Sequence, residues 1–334
     1  MTKNLHEKLT SADIGKLWVA YMGNSLGERV LSYYLQHIDD KDIKKVLEFA
    51  LNTSQSLLEK IKEIFIQENI PLPVGLTEED VNFDAPRLFS DEFYLHYLRY
   101  TGKAGFSIYS IALPLMLRED VRDFFIYALH QNIQLITKVN ELMKAKSFST
   151  KPPLIPIPEK VDFIKKQHYL NGFFGHIRPP HALEITHLYD TIDSNITSRA
   201  LLIAFSQVAE SDQIRKFFIR GKEITAKHLE DCSQQLNKEN LPSPSLLDHL
   251  VTTSTISPFS DKLMLYHKID MFSVKIRSYG NAISLNGRRD LMTMYTKILK
   301  DIFLYVEDGG NIMIDQGWME QPPKAADRDS LASK

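Results

Sequence analysis

Apolar residues recur along most of this chain at alternating steps of four and three, the period of one face of an α-helix. Leu17, Tyr21, Asn24, Glu28, Leu31 and Leu35 trace a first helix to about Gln36, after a Thr10-Ser11-Ala12-Asp13 start that suits an N-cap. Ile43, Val46, Ala50, Thr53, Leu57, Ile61 and Ile64 trace a second, ending near Glu68. The pattern then lapses through Pro71-Leu72-Pro73-Val74-Gly75 as far as Ser90. It resumes on Leu95, Leu98, Gly102, Phe106, Tyr109 and Leu113, and again on Val121, Phe125, Ala128, Asn132, Leu135 and Val139. No segment sustains the alternation of a half-buried strand, so the fold class is all-α.

The same plan is then repeated. Glu68-Asn69-Ile70-Pro71 returns as Glu239-Asn240-Leu241-Pro242, Phe89-Ser90-Asp91 as Phe259-Ser260-Asp261, and Arg118-Glu119-Asp120 as Arg288-Arg289-Asp290. The second copy carries its own helical stripes: Leu188, Ile192, Asn195 and Leu202, then Ile214, Phe217, Gly221, Ile224 and His228. Leu265, Ile269, Phe272, Ile276, Tyr279 and Ile283 trace its third helix, and Leu291, Tyr295, Ile298, Ile302 and Tyr305 its fourth. The acidic run Glu307-Asp308-Gly309-Gly310-Asn311 reads as the end of that last helix.

Connection lengths select among bundles. A helix of about 25 residues is roughly 37 Å long, so a brief turn joins only antiparallel neighbours. A connection of about 20 residues can return along the whole bundle. Short, long, short therefore predicts two tandem ferritin-like four-helix bundles, each with a long crossover between helices 2 and 3. The expected divisions are 1–151 for the first bundle, 152–182 for a connector, 183–321 for the second bundle and 322–334 for a disordered tail. Each repeat is long enough to bury an interior of its own. Pro152-Pro153-Leu154-Ile155-Pro156-Ile157-Pro158 is too proline-rich for helix and predicts an extended arm. The aromatic residues after it, from Phe163 to Phe174, place this arm across the two bundles.

Composition narrows function mainly by exclusion. The 334 residues are 43% hydrophobic and 25% charged, with a formal net charge of −2, which gives no electrostatic reason to expect nucleic acid. The strongest apolar run, Ile108 to Leu117, is broken by Ser110 and Pro114 and falls short of the about 20 residues a membrane span needs. A single cysteine, Cys232, fits a reducing, cytoplasmic compartment. Met1 to Lys8 is polar and does not resemble a secretory leader.

Dinucleotide, phosphate-loop, nucleophile-elbow and zinc-protease motifs are missing from the sequence. The lone Glu-x-x-His, Glu184 and His187, falls in the first turn of a helix at the position matching Asp13, where a carboxylate serves the helix dipole. The remaining constellation is Asn195, His228, His267 and Asp301, one from each helix of the second bundle. These could hold a single iron, manganese or zinc ion or form a buried polar network; His267 points away from the apolar stripe of its helix, and the first repeat has Leu57 and Gln131 where the second has His228 and Asp301. Asn24 and Asn195 match across the repeats and predict a shared hydrogen-bonding role.

Pro71-Leu72-Pro73-Val74-Gly75, Arg87-Leu88-Phe89-Ser90-Asp91, Ser257-Pro258-Phe259-Ser260-Asp261-Lys262-Leu263-Met264 and the Asn311–Pro323 segment resemble a family of spore-forming bacilli that carries tandem ferritin-like bundles and is labelled a domain of unknown function. That family is related in fold to the spore coat protein F type. The resemblance implies a cytoplasmic or spore-associated setting, no established reaction and no catalytic residues. The expected function is thus a non-enzymatic structural or interaction protein without cofactor, partnered by another protein or by itself. The alternative is a degenerate ferritin-like metal-binding or redox protein.

Overall fold

The computed structural model describes residues 8–148 and 151–333; Met1–Glu7, which carry most of the leader argument, lie outside the described residues. The first half contains α1 (Ser11–Gln36), α2 (Lys41–Gln67), α3 (Asp91–Ala112) and α4 (Glu119–Ala145). The second contains α5 (Ala182–Val208), α6 (Asp212–Asn237), α7 (Asp261–Leu285) and α8 (Arg289–Asp315). Short turns join the members of each hairpin, and residues 68–90 and 238–260 form the long connections. In each half the first helix packs on the second and third, and the fourth on the second and third.

The start of α1 is closed by a capping box: the Asp13 carboxylate accepts the Thr10 N–H at 2.8 Å, and Thr10 Oγ1 accepts the Asp13 N–H at 3.3 Å. Asn69 and Asn240, matching residues just past α2 and α6, both adopt positive φ (56° and 55°). Asparagine tolerates this left-handed conformation, which turns the chain out of the helix and into each long connection.

The two connections meet each other. Val81 bridges Phe259 and Phe89 bridges Val251, both antiparallel. Four backbone bonds hold them: Asn82 N to Pro258 O (2.8 Å), Ser260 N to Asp80 O (2.9 Å), Ser90 N to Leu250 O (2.9 Å) and Thr252 N to Leu88 O (3.0 Å). Since Val81 is the repeat counterpart of Val251, and Phe89 of Phe259, each bridge is the image of the other. The halves therefore associate as two identical subunits do across a twofold axis.

This association overturns the expectation of two separate interiors. Buried apolar residues from both halves form one contiguous core, with α3 packed on α5 and α7 as well as on its own partners. α7 is likewise covered on two sides, setting Phe272 against Tyr305 of its own half and His267 against Tyr97 of the other.

Three further expectations are corrected. Glu307–Asn311 lies inside α8, not at its end; Gly309 lets α8 approach α7 and α6 closely, because a Cβ there would meet Ile269 at 2.8 Å and Phe217 at 2.9 Å. The arm does not pack across the bundles: Leu154, Ile157, Val161, Phe163 and Phe174 are all exposed. The tail forms a short exposed helix, α9 (Arg328–Ala332), capped by the Asp327 carboxylate.

Candidate functional site

The interior of the second half carries a chain of polar groups. Asn195 on α5 donates through Nδ2 to Thr191 O and to Tyr279 Oη, each at 2.8 Å, and its Oδ1 accepts Lys275 Nζ at 2.8 Å. Two turns back along α7, Lys268 Nζ donates to Ser198 Oγ at 2.8 Å. Both lysines are buried, and neither has a carboxylate among its hydrogen-bonding partners. Burial alone pulls Lys268 down to about 7. Lys275 is driven well below the usual lysine range by burial and then by repulsion from Lys268 and Lys103. Their stems lie against aromatic faces, with Lys275 Nζ 4.4 Å and Lys268 Nζ 5.1 Å from the centre of the Phe272 ring.

His228 on α6 and Asp301 on α8 meet beside this chain, Nε2 to Oδ2 at 3.4 Å. Burial, then the nearby Lys275, pushes the imidazole down to about 4, so it is neutral at pH 7. His267 stands apart at the junction of the halves, its Nε2 3.0 Å from Tyr97 Oη. Tyr97 and His267 are repeat counterparts, so this contact lies on the pseudo-twofold axis. Burial pushes His267 down to about 3.

The junction is closed by ion pairs between α3 and α5. Lys103 Nζ reaches Asp190 at 2.6 Å, Asp193 at 3.1 Å and Ser194 Oγ at 2.9 Å, and Arg99 pairs with Asp193. A space of about 10 Å³ between Lys103 and Lys275 holds no more than about one water molecule.

Of the four residues singled out from sequence, His228 and Asp301 come together, Asn195 joins Lys275 and Tyr279 instead, and His267 faces the other half. Among the described residues no group of three or more His, Cys, Asp or Glu side chains is placed to hold a metal. The Glu-x-x-His pair is likewise divided. Glu184 accepts the Arg178 guanidinium at 2.7 and 2.8 Å, together with the N–H groups of His181, Gly287 and Arg288 at 2.9–3.0 Å. His187 Nδ1 lies 3.1 Å from Asn286 Oδ1. Hydrogen bonds outweigh burial and hold the Glu184 carboxyl down at about 2, as a helix cap and clasp.

The expectation for the matched asparagines holds closely. Asn24 donates to Ala20 O at 2.7 Å and to Tyr109 Oη at 3.2 Å, the images of the two donations by Asn195. Sequence reasoning missed Lys268 and Lys275. The available signal was Lys268, Phe272, Lys275 and Tyr279, spaced four, three and four along one face of α7.

A lysine titrating near neutrality can serve as base or nucleophile. Lys268 cannot reach a substrate, because it is fully enclosed and its nitrogen is held by Ser198. The arrangement orders helices; it does not present a reactive group.

The family described as Protein of unknown function (DUF3231) matches residues 2–161 and again 169–331. The chain belongs to this family. Its two consecutive matches coincide with the two halves of the fold. No curated protein matches the chain. One similar solved structure, from Bacillus halodurans and described as a candidate spore coat protein, is 22% identical, covers 47% of this chain and 98% of its own, and superposes with a TM-score of 0.39. As a member of its family the chain thus has a duplicated helical fold and no established reaction. No helix among the described residues is long and apolar enough to cross a membrane.

Proposed function

We propose that this chain is a non-enzymatic structural protein of ferritin-like architecture, needing no cofactor and acting by contact with protein in a cytoplasmic, spore-associated setting. The short, long, short connections and the packing of first on third and second on fourth helices support the single-crossover bundle. The observation that carries the functional reading is the pair of lysines in the second interior. In that interior Lys275 Nζ takes the amide oxygen of Asn195 and Lys268 Nζ is held by Ser198, so the space is lined by amines and amides instead of the carboxylates that a ferritin-like metal site needs.

Support for the contact role comes from the arm, where Leu154, Ile157 and Phe174 are 91%, 92% and 87% exposed. Exposed apolar side chains in such density mark a contact surface. Metal quantification on protein purified without chelators tests the reading. Less than about a tenth of an equivalent of iron, manganese or zinc per chain is expected. One tightly held equivalent that disappears in His228→Leu would establish the metalloprotein alternative instead.

A further inference from the structure

The second half contains its own amine, and the first half has the receptor without it. Lys275 and Phe272 of α7 correspond to Gly105 and Gly102 of α3. Where the second half is filled by the alkylamine stem of Lys275 and a ring, the first half has a cavity of about 120 Å³ bordered by Asn24, Gly102, Gly105, Tyr109, Asn132 and Asp270. That approaches the about 150 Å³ of an engineered apolar cavity that takes benzene.

The walls keep the chemistry that receives Lys275. Asn24 is 7% exposed and is held by Ala20 O and Tyr109 Oη, just as Asn195 is held by Thr191 O and Tyr279 Oη. In the second half the remaining amide oxygen accepts the Lys275 nitrogen; in the first half no donor among the described residues takes that place. Asn132, which donates to Gly102 O, adds a second amide.

The first half also has a counter-charge that the second lacks. Asp270 reaches this cavity from α7, across the junction, and forms no hydrogen bond or ion pair among the described residues. Its counterpart at the second site is the neutral Tyr100. Burial pushes the Asp270 carboxyl up to about 6, only partly offset by attraction to Arg277. A cation brought beside it would relieve that cost.

We propose that the first half binds a short primary alkyl amine, its ammonium on the Asn24 amide oxygen and the Asp270 carboxylate and its alkyl body in the space left by Gly102 and Gly105. The ligand is the detached equivalent of the Lys275 side chain, which from Cβ to Nζ is n-butylamine. This site does not depend on the absence of metal from the second half, so metal analysis and amine binding can fail separately.

The test is calorimetric titration of the full chain with n-butylamine at pH 7, with n-butanol as the uncharged control of the same shape. The amine is expected to bind at least tenfold more tightly than the alcohol. Asp270→Asn, with folding checked by far-UV circular dichroism, should weaken the amine at least tenfold and leave the alcohol unchanged. Gly105→Lys should abolish binding by carrying the amine on the chain. Its Cβ meets the end of the Asn132 side chain at 2.7–3.1 Å, so Asp270→Asn alone decides the matter if Gly105→Lys does not fold. Equal affinity for amine and alcohol, no binding of either, or an Asp270→Asn variant that binds the amine as before would overturn the proposal.

Discussion

Replacing Asn195 by alanine should cost far more stability than replacing its counterpart Asn24. Asn195→Ala strips partners from two buried groups, the Tyr279 hydroxyl and the Lys275 nitrogen, both held at 2.8 Å. An orphaned buried polar group costs about 1–3 kcal/mol, so a total of about 3–5 kcal/mol is expected. Asn24→Ala orphans only the Tyr109 hydroxyl, already at 3.2 Å, and should cost about 1–2 kcal/mol. The excess belongs to Lys275. Adding Lys275→Met to Asn195→Ala removes the stranded nitrogen while keeping the apolar stem on Phe272, and should recover about 1–2 kcal/mol. Urea unfolding followed by far-UV circular dichroism at pH 7.5 measures the parent chain and all three variants. Equal losses for the two asparagines, or no recovery in the double variant, would refute the reasoning that Lys275 depends on Asn195.

Acid should destabilise the chain through its buried histidines before most of its carboxylates titrate, Asp270 being the exception at about 6. His228, His267 and His96 are pushed to about 4, 3 and 4, chiefly by burial. Each folded value lies below the unfolded value, so the fold prefers the neutral ring. That contribution is complete above about pH 6.5 and is lost as pH falls toward the folded values, on the order of 3 kcal/mol per histidine. His228→Leu, which installs the residue found at Leu57, should flatten the stability profile between pH 6.5 and 4 and change stability at pH 7.5 by less than about 1 kcal/mol; an unchanged profile would show that His228 is not the buried neutral ring described. Glu184→Gln should cost about 3–5 kcal/mol, because it leaves the Arg178 guanidinium facing a neutral amide and weakens the bonds to Gly287 and Arg288. A fall in melting temperature of less than about 2 °C would contradict the clasp role of that carboxylate.

Local features were legible in the sequence because local rules generate them. The stripe ending near Gln36 and the break near Glu68 match the ends of α1 and α2, and the Thr10 cap and paired asparagines stand as expected. Long-range features were hidden. His267 looked misplaced because a helical wheel has one inside, whereas α7 has two, one for each half of the molecule. Lys268 and Lys275 went unread although they share the face of α7 that carries Phe272 and Tyr279, because a lysine on an apolar stripe is buried only where a partner such as Ser198 or Asn195 waits on another helix. The arm's aromatic residues promised packing, yet Phe163 and Phe174 are exposed: apolar composition alone does not specify a partner surface.

The two halves share one interior through crossed connections, and the burial of His267 against Tyr97 follows from that sharing. Differential scanning calorimetry of the whole chain, with residues 8–151 and 182–321 expressed separately for comparison, tests it most directly. A single cooperative transition is predicted for the whole chain, with each half alone unfolded or insoluble because α3, α5 and α7 lose their buried faces. Two independent transitions, each reproduced by an isolated half, would contradict it.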